Sequence, residues 1–214
     1  MYEPPHFRET DAGMSHALIR ARPLGLLVSH SEEGLTANPI PFVLDERAGE
    51  HGVLRCHLAR ANPQWKQFLT PCDALVVFQG DEHYIHPGWY ETKKENGKVV
   101  PTWNYAMVQV RGQAVAIEDA TWLARQIRDL TQMMEGRYPD PWAVEDAPDP
   151  FIAAQIRGIV GIEITISDLR GKWKVSQNRN EADRRGVIDG LTAKGDPDAL
   201  AMAALVKSKL DPRP

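Results

Sequence analysis

The order of the strand and helix signals constrains the fold more than any other feature of the chain. Strand-like segments run at Leu24 to Ser29, Leu35 to Leu44, Val53 to Leu58 and Ala74 to Gln79, and only one short helix signal falls among them. Consecutive parallel strands need a long crossover, usually a helix, and most of these connections are too short to hold one. The strands are therefore expected to pair antiparallel in an α+β domain rather than a doubly wound sheet. Pro39 and Pro41 sit inside the second segment. Proline gives no amide to a ladder, so this strand belongs at a sheet edge or in an irregular position.

The rest of the chain adds four helical stretches and two strands. Thr10 or Asp11 caps a helix to about Arg20, with Met14, Ala17, Leu18 and Ala21 on one side. Glu91 to Val100 reads as a polar loop with an Asn-Gly turn, and Thr102 to Ile117 as a long strand. Asp119 caps the clearest helix, whose apolar face is Leu123, Ile127, Leu130 and Met134. Glu135 to Pro150 holds four prolines and five acids and reads as a surface loop. Ile156 to Ile166 is a last strand, followed by two helices at Asn180 to Leu191 and Asp198 to Leu210.

Composition excludes several classes. With 214 residues, 43% hydrophobic and 25% charged, the chain is neither disordered nor fibrous. A net charge of −4 argues against a surface that tracks nucleic acid or anionic lipid throughout. The two cysteines, Cys56 and Cys72, are too few for a disulfide framework and read as free thiols. The opening MYEPPHFRET lacks a basic stretch followed by an apolar run, and no apolar run approaches the ~20 residues of a membrane span, so a cytoplasmic protein is expected.

Phosphate loops, dinucleotide fingerprints, nucleophile elbows and zincin helices are all absent. His83 and His86 lie three apart on an expected strand, which aims them to opposite sides, so no metal site is expected there. The segment HLARANPQW, His57 to Trp65, places a strand end against a helix start, with Asn62 as cap and Pro63 at the first helical position. Free amides at such a start suit an anion, around which His57, Arg60 and Asn62 could close. An ordinary capped turn fits the same residues. Trp89, Tyr90, Trp103 and Tyr105 could wall a pocket for a planar ligand or could be core. From Asp168 to Arg185 six basic residues face three acidic ones, a local +3, which serves either ligand contact or a solvated turn.

Read together, MYEPPHF, HLARANPQW, YIHPGWY, VPTWNY and KVSQNR resemble the PaiB-like FMN-binding negative transcriptional regulators, in order from Met1 to about Leu191. That family is similar to the FMN-binding split β-barrels, which include pyridoxamine phosphate oxidase. The resemblance implies an antiparallel split β-barrel with peripheral helices over residues 1–191 and a helical tail over 192–214. It implies FMN as cofactor, held in a homodimer at the subunit interface. Flavin phosphate contacts would fall on His57, Leu58, Ala59, Arg60, Asn62 and Gln64. The strand along the flavin ring would be Ala37, Asn38, Pro39, Ile40 and Pro41. ANPIPF replaces the family's usual ASHLPF there, so Pro39 removes one backbone donor. His86 replaces the family's usual Ser after Tyr-Ile. Trp103, Asn104, Gln177, Asn178 and Arg179 match family motifs and are inferred as further contacts.

The resemblance implies a regulator. An FMN-dependent oxidoreductase is the alternative, with Tyr105, His57 or His86 as the available proton donors. Haem binding, known in other split barrels, is a further option. A regulatory partner or DNA is a possible macromolecular contact. The Asn180 to Leu210 helices could imitate a helix-turn-helix, but DALAMAALVKSKL is apolar where a reading helix is basic and polar.

Overall fold

A computed structural model of the chain describes residues 1–210. The strands are β1 (Arg8–Glu9), β2 (Leu24–Ser31), β3 (Gly34–Pro41), β4 (Val43–Asp45), β5 (Val53–Ala59), β6 (Cys72–Ile85), β7 (Thr102–Ile117) and β8 (Ile159–Lys174). They form one sheet in the order β3-β2-β6-β7-β8-β5-β4, with β1 added on β8. The β2–β3, β2–β6, β4–β5, β5–β8 and β1–β8 pairs are all antiparallel. The two prolines place β3 at an edge of the sheet, as expected. The helices are α1 (Ala12–Ala21), α2 (Glu91–Asn96), α3 (Ala120–Glu135), α4 (Asp149–Arg157), α5 (Glu181–Lys194) and α6 (Pro197–Ser208). The chain divides into two compact units.

One unit comprises Ser15–Phe78 and Gln109–Leu169. Its core follows strand alternation: Leu54, Cys56 and Leu58 of β5 are buried, as are Ile162 and Ile164 of β8 and Val76 and Phe78 of β6. Each fully buried Leu, Ile or Phe contributes about 1.5–3 kcal/mol. Phe42 meets Phe78 edge-to-face at 5.7 Å. β2 alternates and leaves Leu24 and Leu26 facing out. α1 buries Ser15, His16 and Ile19 rather than the expected Met14, Ala17, Leu18 and Ala21. His16 fits there because its ring nitrogens lie 3.2 Å from Glu46 Oε2 and 3.2 Å from the His51 carbonyl.

Asp119 caps α3 by accepting from the Trp122 amide at 2.7 Å. The face that α3 buries holds Leu123 and Gln126, whereas Met134 is exposed. The apolar spacing misled there because a polar side chain with a partner can be buried as completely as leucine. Trp122 lies on Gly161 so closely that a Cβ would come within 2.3 Å of the ring. α4 forms where a loop and the start of a strand were expected, and β8 begins only at Ile159.

The other unit comprises Met1–Met14, Gln79–Val108 and the chain from Arg170 onward. β1 pairs with the end of β8, Arg8 opposite Lys172. The expected polar loop contains α2, and its Asn96-Gly97 turn ends that helix, with Gly97 at φ +69°. Asn180 caps α5 and Asp196 caps α6, each accepting the amide three residues on. Gly186 and Gly190, one turn apart on α5, admit Trp89. A Cβ at Gly186 would meet the Trp89 carbonyl at 2.0 Å, and one at Gly190 the Trp89 ring at 2.4 Å. α6 buries Ala199, Met202, Ala203 and Val206. The helical tail expected over 192–214 starts inside α5, and its residues 211–214 lie outside the described residues. Among the described residues no helix is long and apolar enough to cross a membrane.

Candidate functional site

The expected site residues fall into two sets, one in each unit. In the unit holding β2 and β3, the register pairs Leu24 with Pro41, Leu26 with Pro39, Val28 with Ala37 and His30 with Leu35. Cross-strand partners share a face, so these residues make one outward, largely apolar surface. Leu24 is 63%, Leu26 40% and Leu35 77% exposed. Asn38 and Ile40 point the other way. Asn38 Nδ2 donates to Gln64 Oε1 at 2.9 Å, while Gln64 Nε2 donates to the Leu27 carbonyl at 3.2 Å and to Ser29 Oγ at 2.9 Å. Asn38 therefore ties the edge strand to the core.

The helix expected at Asn62 is a single 3-10 stretch, Pro63–Phe68. Asn62 Oδ1 accepts from the Gln64 amide at 3.0 Å, so the cap itself satisfies a donor that an anion would need. Arg60 is engaged as well. Nη1 donates to Glu118 at 2.6 Å, Nε to the Arg157 carbonyl at 3.1 Å and Nη2 to the Ile159 carbonyl at 3.2 Å. Leu58 is buried and Ala59 exposed at the strand end. His57 faces α3, where its Nδ1 lies 2.7 Å from Gln126 Oε1. Gln126 lines a cavity of about 280 Å³ with Arg55, Trp122 and Glu163, and its Nε2 has no partner among the described residues.

In the other unit two motifs far apart in sequence meet. Asn104, buried on β7, donates from Nδ2 to Ser176 Oγ at 2.9 Å. Ser176 holds a left-handed backbone at φ +68°, unusual for a residue with a side chain. Gln177 locks the same turn: Oε1 accepts from the Val175 amide at 2.7 Å and Nε2 donates to the Trp173 carbonyl at 2.5 Å. Asn178 is exposed, and Trp103, 53% exposed, stands edge-to-face on Tyr84 at 6.1 Å. The Arg179 guanidinium lies 4.6 Å from the centre of the Tyr90 ring. Burial pushes the Tyr90 hydroxyl upward, against the pull of Arg179.

Two lysines complete this set. Lys172 Nζ donates to the Tyr2 carbonyl at 3.1 Å and lies 5.2 Å from the Tyr105 ring centre. Lys174 Nζ donates to Thr102 Oγ1 at 2.6 Å and to the Trp103 carbonyl, 6.0 Å from the same ring. Desolvation, then Lys172 and Arg179, hold the Lys174 pKa below the usual lysine value. The donor set therefore suits an anionic cofactor. Of the aromatics left open by the sequence, Tyr90 is core, Trp89 packs on α5, Trp103 is open and Tyr105 stands between the lysines. His86 lies just past β6, so it and His83 both meet Trp89, at 5.9 and 6.3 Å. Among the described residues no cluster of three or more His, Cys, Asp or Glu could hold a metal ion.

Residues 1–168 match the family model described as "Putative FMN-binding domain". The chain belongs to this FMN-binding domain family. FMN is the family's cofactor. The chain is 32% identical to the Bacillus subtilis "Protease synthase and sporulation protein PAI 2", over 98% of each chain. It is 36% identical to an uncharacterised Emericella nidulans protein over 98% of this chain and 97% of the other. In fold it is similar to the FAD and haem binding protein of Mycobacterium smegmatis, with TM-score 0.57, 15% identity, and coverage of 78% and 73%. It is also similar to the flavocytochrome Anf3 of Azotobacter vinelandii, with TM-score 0.54, 16% identity, and coverage of 84% and 75%. The split-barrel fold implied by the sequence is the one shared with these structures.

Sequence reading held Lys172 and Lys174 only within the basic stretch from Asp168 to Arg185, open to ligand contact or a solvated turn, and did not single them out. The signal was there, since Arg170-Gly171-Lys172-Trp173-Lys174 alternates at the strand period and puts both lysines on one side. Gln126 was missed because a lone glutamine on an amphipathic helix carries no local signal of burial.

Proposed function

We propose that the chain is an FMN-binding regulator that works as a homodimer in the cytoplasm. The observation that carries the FMN reading is the meeting of the Thr102–Tyr105 and Lys174–Arg179 motifs through Asn104 and Ser176. A strained turn held by side-chain amides persists only where its surroundings over-determine it, and such turns cluster at ligand sites. The turn is followed by Arg179, which lies on the Tyr90 ring, and preceded by Lys174, which donates to Thr102 and the Trp103 carbonyl, so aromatic rings and cationic donors suited to a flavin lie along it. The regulatory reading is supported by the PaiB-like motifs and by a relative named for protease synthesis and sporulation rather than for a substrate. Because α6 buries its apolar face, action through a partner fits better than direct reading of DNA. The outward face of β2 and β3 supports the dimer, since an apolar edge strand is readily covered by a second copy.

The visible spectrum of the purified protein, with and without added FMN, tests the cofactor. A protein that stays colourless and takes up no FMN refutes it. The oxidoreductase reading stands or falls on bleaching of the bound flavin by NAD(P)H, which a sensor does not require. Light scattering that returns a monomer at micromolar concentration refutes the dimer.

A further inference from the structure

We propose that the cavity under α3 is a binding site for a free α-amino acid with an apolar side chain. This site goes beyond the flavin reading and does not depend on it. The cavity holds about 280 Å³ and is lined from α3 and from the paired strands β5 and β8, all within one unit. That lies just below the usual range of drug-sized pockets, so it suits a molecule smaller than a flavin nucleotide. Trp122, Arg125, Gln126 and Asp129 line it from α3 at positions i, i+3, i+4 and i+7, which is one helix face. Arg55 and Glu163, cross-strand partners on β5 and β8, line it from the sheet.

Three groups on this wall lack partners among the described residues. Gln126 is 1% exposed. Its Oε1 accepts from His57 Nδ1 at 2.7 Å, and its Nε2 has no acceptor. Buried amides are normally paired, so this N–H group calls for an acceptor brought by a ligand. The side chains of Arg125 and Asp129 line the cavity and make no hydrogen bond or ion pair. The other charges are spent on one another. Arg55 donates to Asp45 at 3.1 Å and to Glu163 at 3.0 Å, and Trp122 Nε1 donates to Glu163 at 3.4 Å. The open set is therefore one amide donor, one cation and one carboxylate. A ligand carboxylate satisfies Gln126 and Arg125, and an ammonium group on the same molecule satisfies Asp129. An inorganic anion leaves Asp129 unserved and faces Glu163 besides. A simple amine leaves the amide and the guanidinium unserved. Ile117 and the Trp122 indole supply apolar wall for the side chain.

The test is calorimetric titration of the full chain with glycine, L-alanine and L-leucine, and with two truncated forms of leucine. Isocaproate lacks the ammonium group and isoamylamine lacks the carboxylate. L-leucine should bind at least about tenfold tighter than either truncated form, the scale of one charge-assisted hydrogen bond. That preference is read on the unaltered protein and needs no variant to fold. Asp129→Asn should weaken leucine by about tenfold and abolish its preference over isocaproate, while the preference over isoamylamine persists. Arg125→Met should do the converse, abolishing the preference over isoamylamine alone. A general loss of packing would weaken every ligand alike. No binding of any of the three amino acids overturns the site, as does equal affinity for leucine and its truncated forms. Unchanged leucine binding in either variant also overturns it.

Discussion

Gln64→Leu is expected to loosen the edge strand that the family resemblance assigns to the flavin ring. Gln64 is 1% exposed and makes three side-chain hydrogen bonds, to the Leu27 carbonyl, Ser29 Oγ and Asn38 Nδ2, at 3.2, 2.9 and 2.9 Å. Leucine fills nearly the same volume, so the change removes polar partners without opening a large cavity. Each bond contributes about 0.5–1.5 kcal/mol net, and a buried partner left without one costs about 1–3 kcal/mol. The serine and the Leu27 carbonyl are buried while Asn38 can reach water, so the total should be about 3 kcal/mol. For a chain of this size that lowers the melting temperature by about 6–12 °C.

The assay is denaturant unfolding of Gln64→Leu, Asn38→Leu and the double variant. The coupling between the two sites should be about 1 kcal/mol, because both single changes remove the same bond. Amide exchange should rise first along residues 34–41. A loss below about 1 kcal/mol with no coupling would refute the claim that Asn38 serves the core through Gln64.

Gly161→Ala should cost about 1–3 kcal/mol, because its Cβ would enter the Trp122 ring, and indole fluorescence should shift as Trp122 moves. Both thiols are pushed upward, Cys56 by complete burial and Cys72 by desolvation and the neighbouring Asp73. A disulfide reagent should therefore label Cys72 slowly and Cys56 only after unfolding, so rapid labelling of both contradicts the burial. Lys174 has a depressed pKa, so its ammonium is less favoured in the folded chain than in the unfolded one. That penalty is present at neutral pH and is relieved as pH rises through the folded pKa toward the usual 10.5, so Lys174→Met should raise stability near neutrality and lose that advantage at high pH.

Legibility in the sequence followed the range of the interaction that decides each residue. β3 was placed at the edge because proline gives no amide to a ladder, and Asp119 and Asn62 were legible as caps because a cap acts on the next three residues. Burial on α3 was not legible, because Gln126 is buried only through His57, 69 positions away. The same holds for the anion-binding residues. HLARANPQW has the local form of an anion turn, yet Arg60 is held by carbonyls at Arg157 and Ile159 and by Glu118, all distant in sequence. The strand-period alternation puts Lys172 and Lys174 on one side, but that they flank the Tyr105 ring with no carboxylate partner among the described residues is set by residues distant in sequence. A charge in sequence reports what a residue can bind. Which charges remain uncompensated is set by long-range pairing, and in this chain that pairing removes Arg60 from the candidates and leaves Lys172, Lys174 and Arg179.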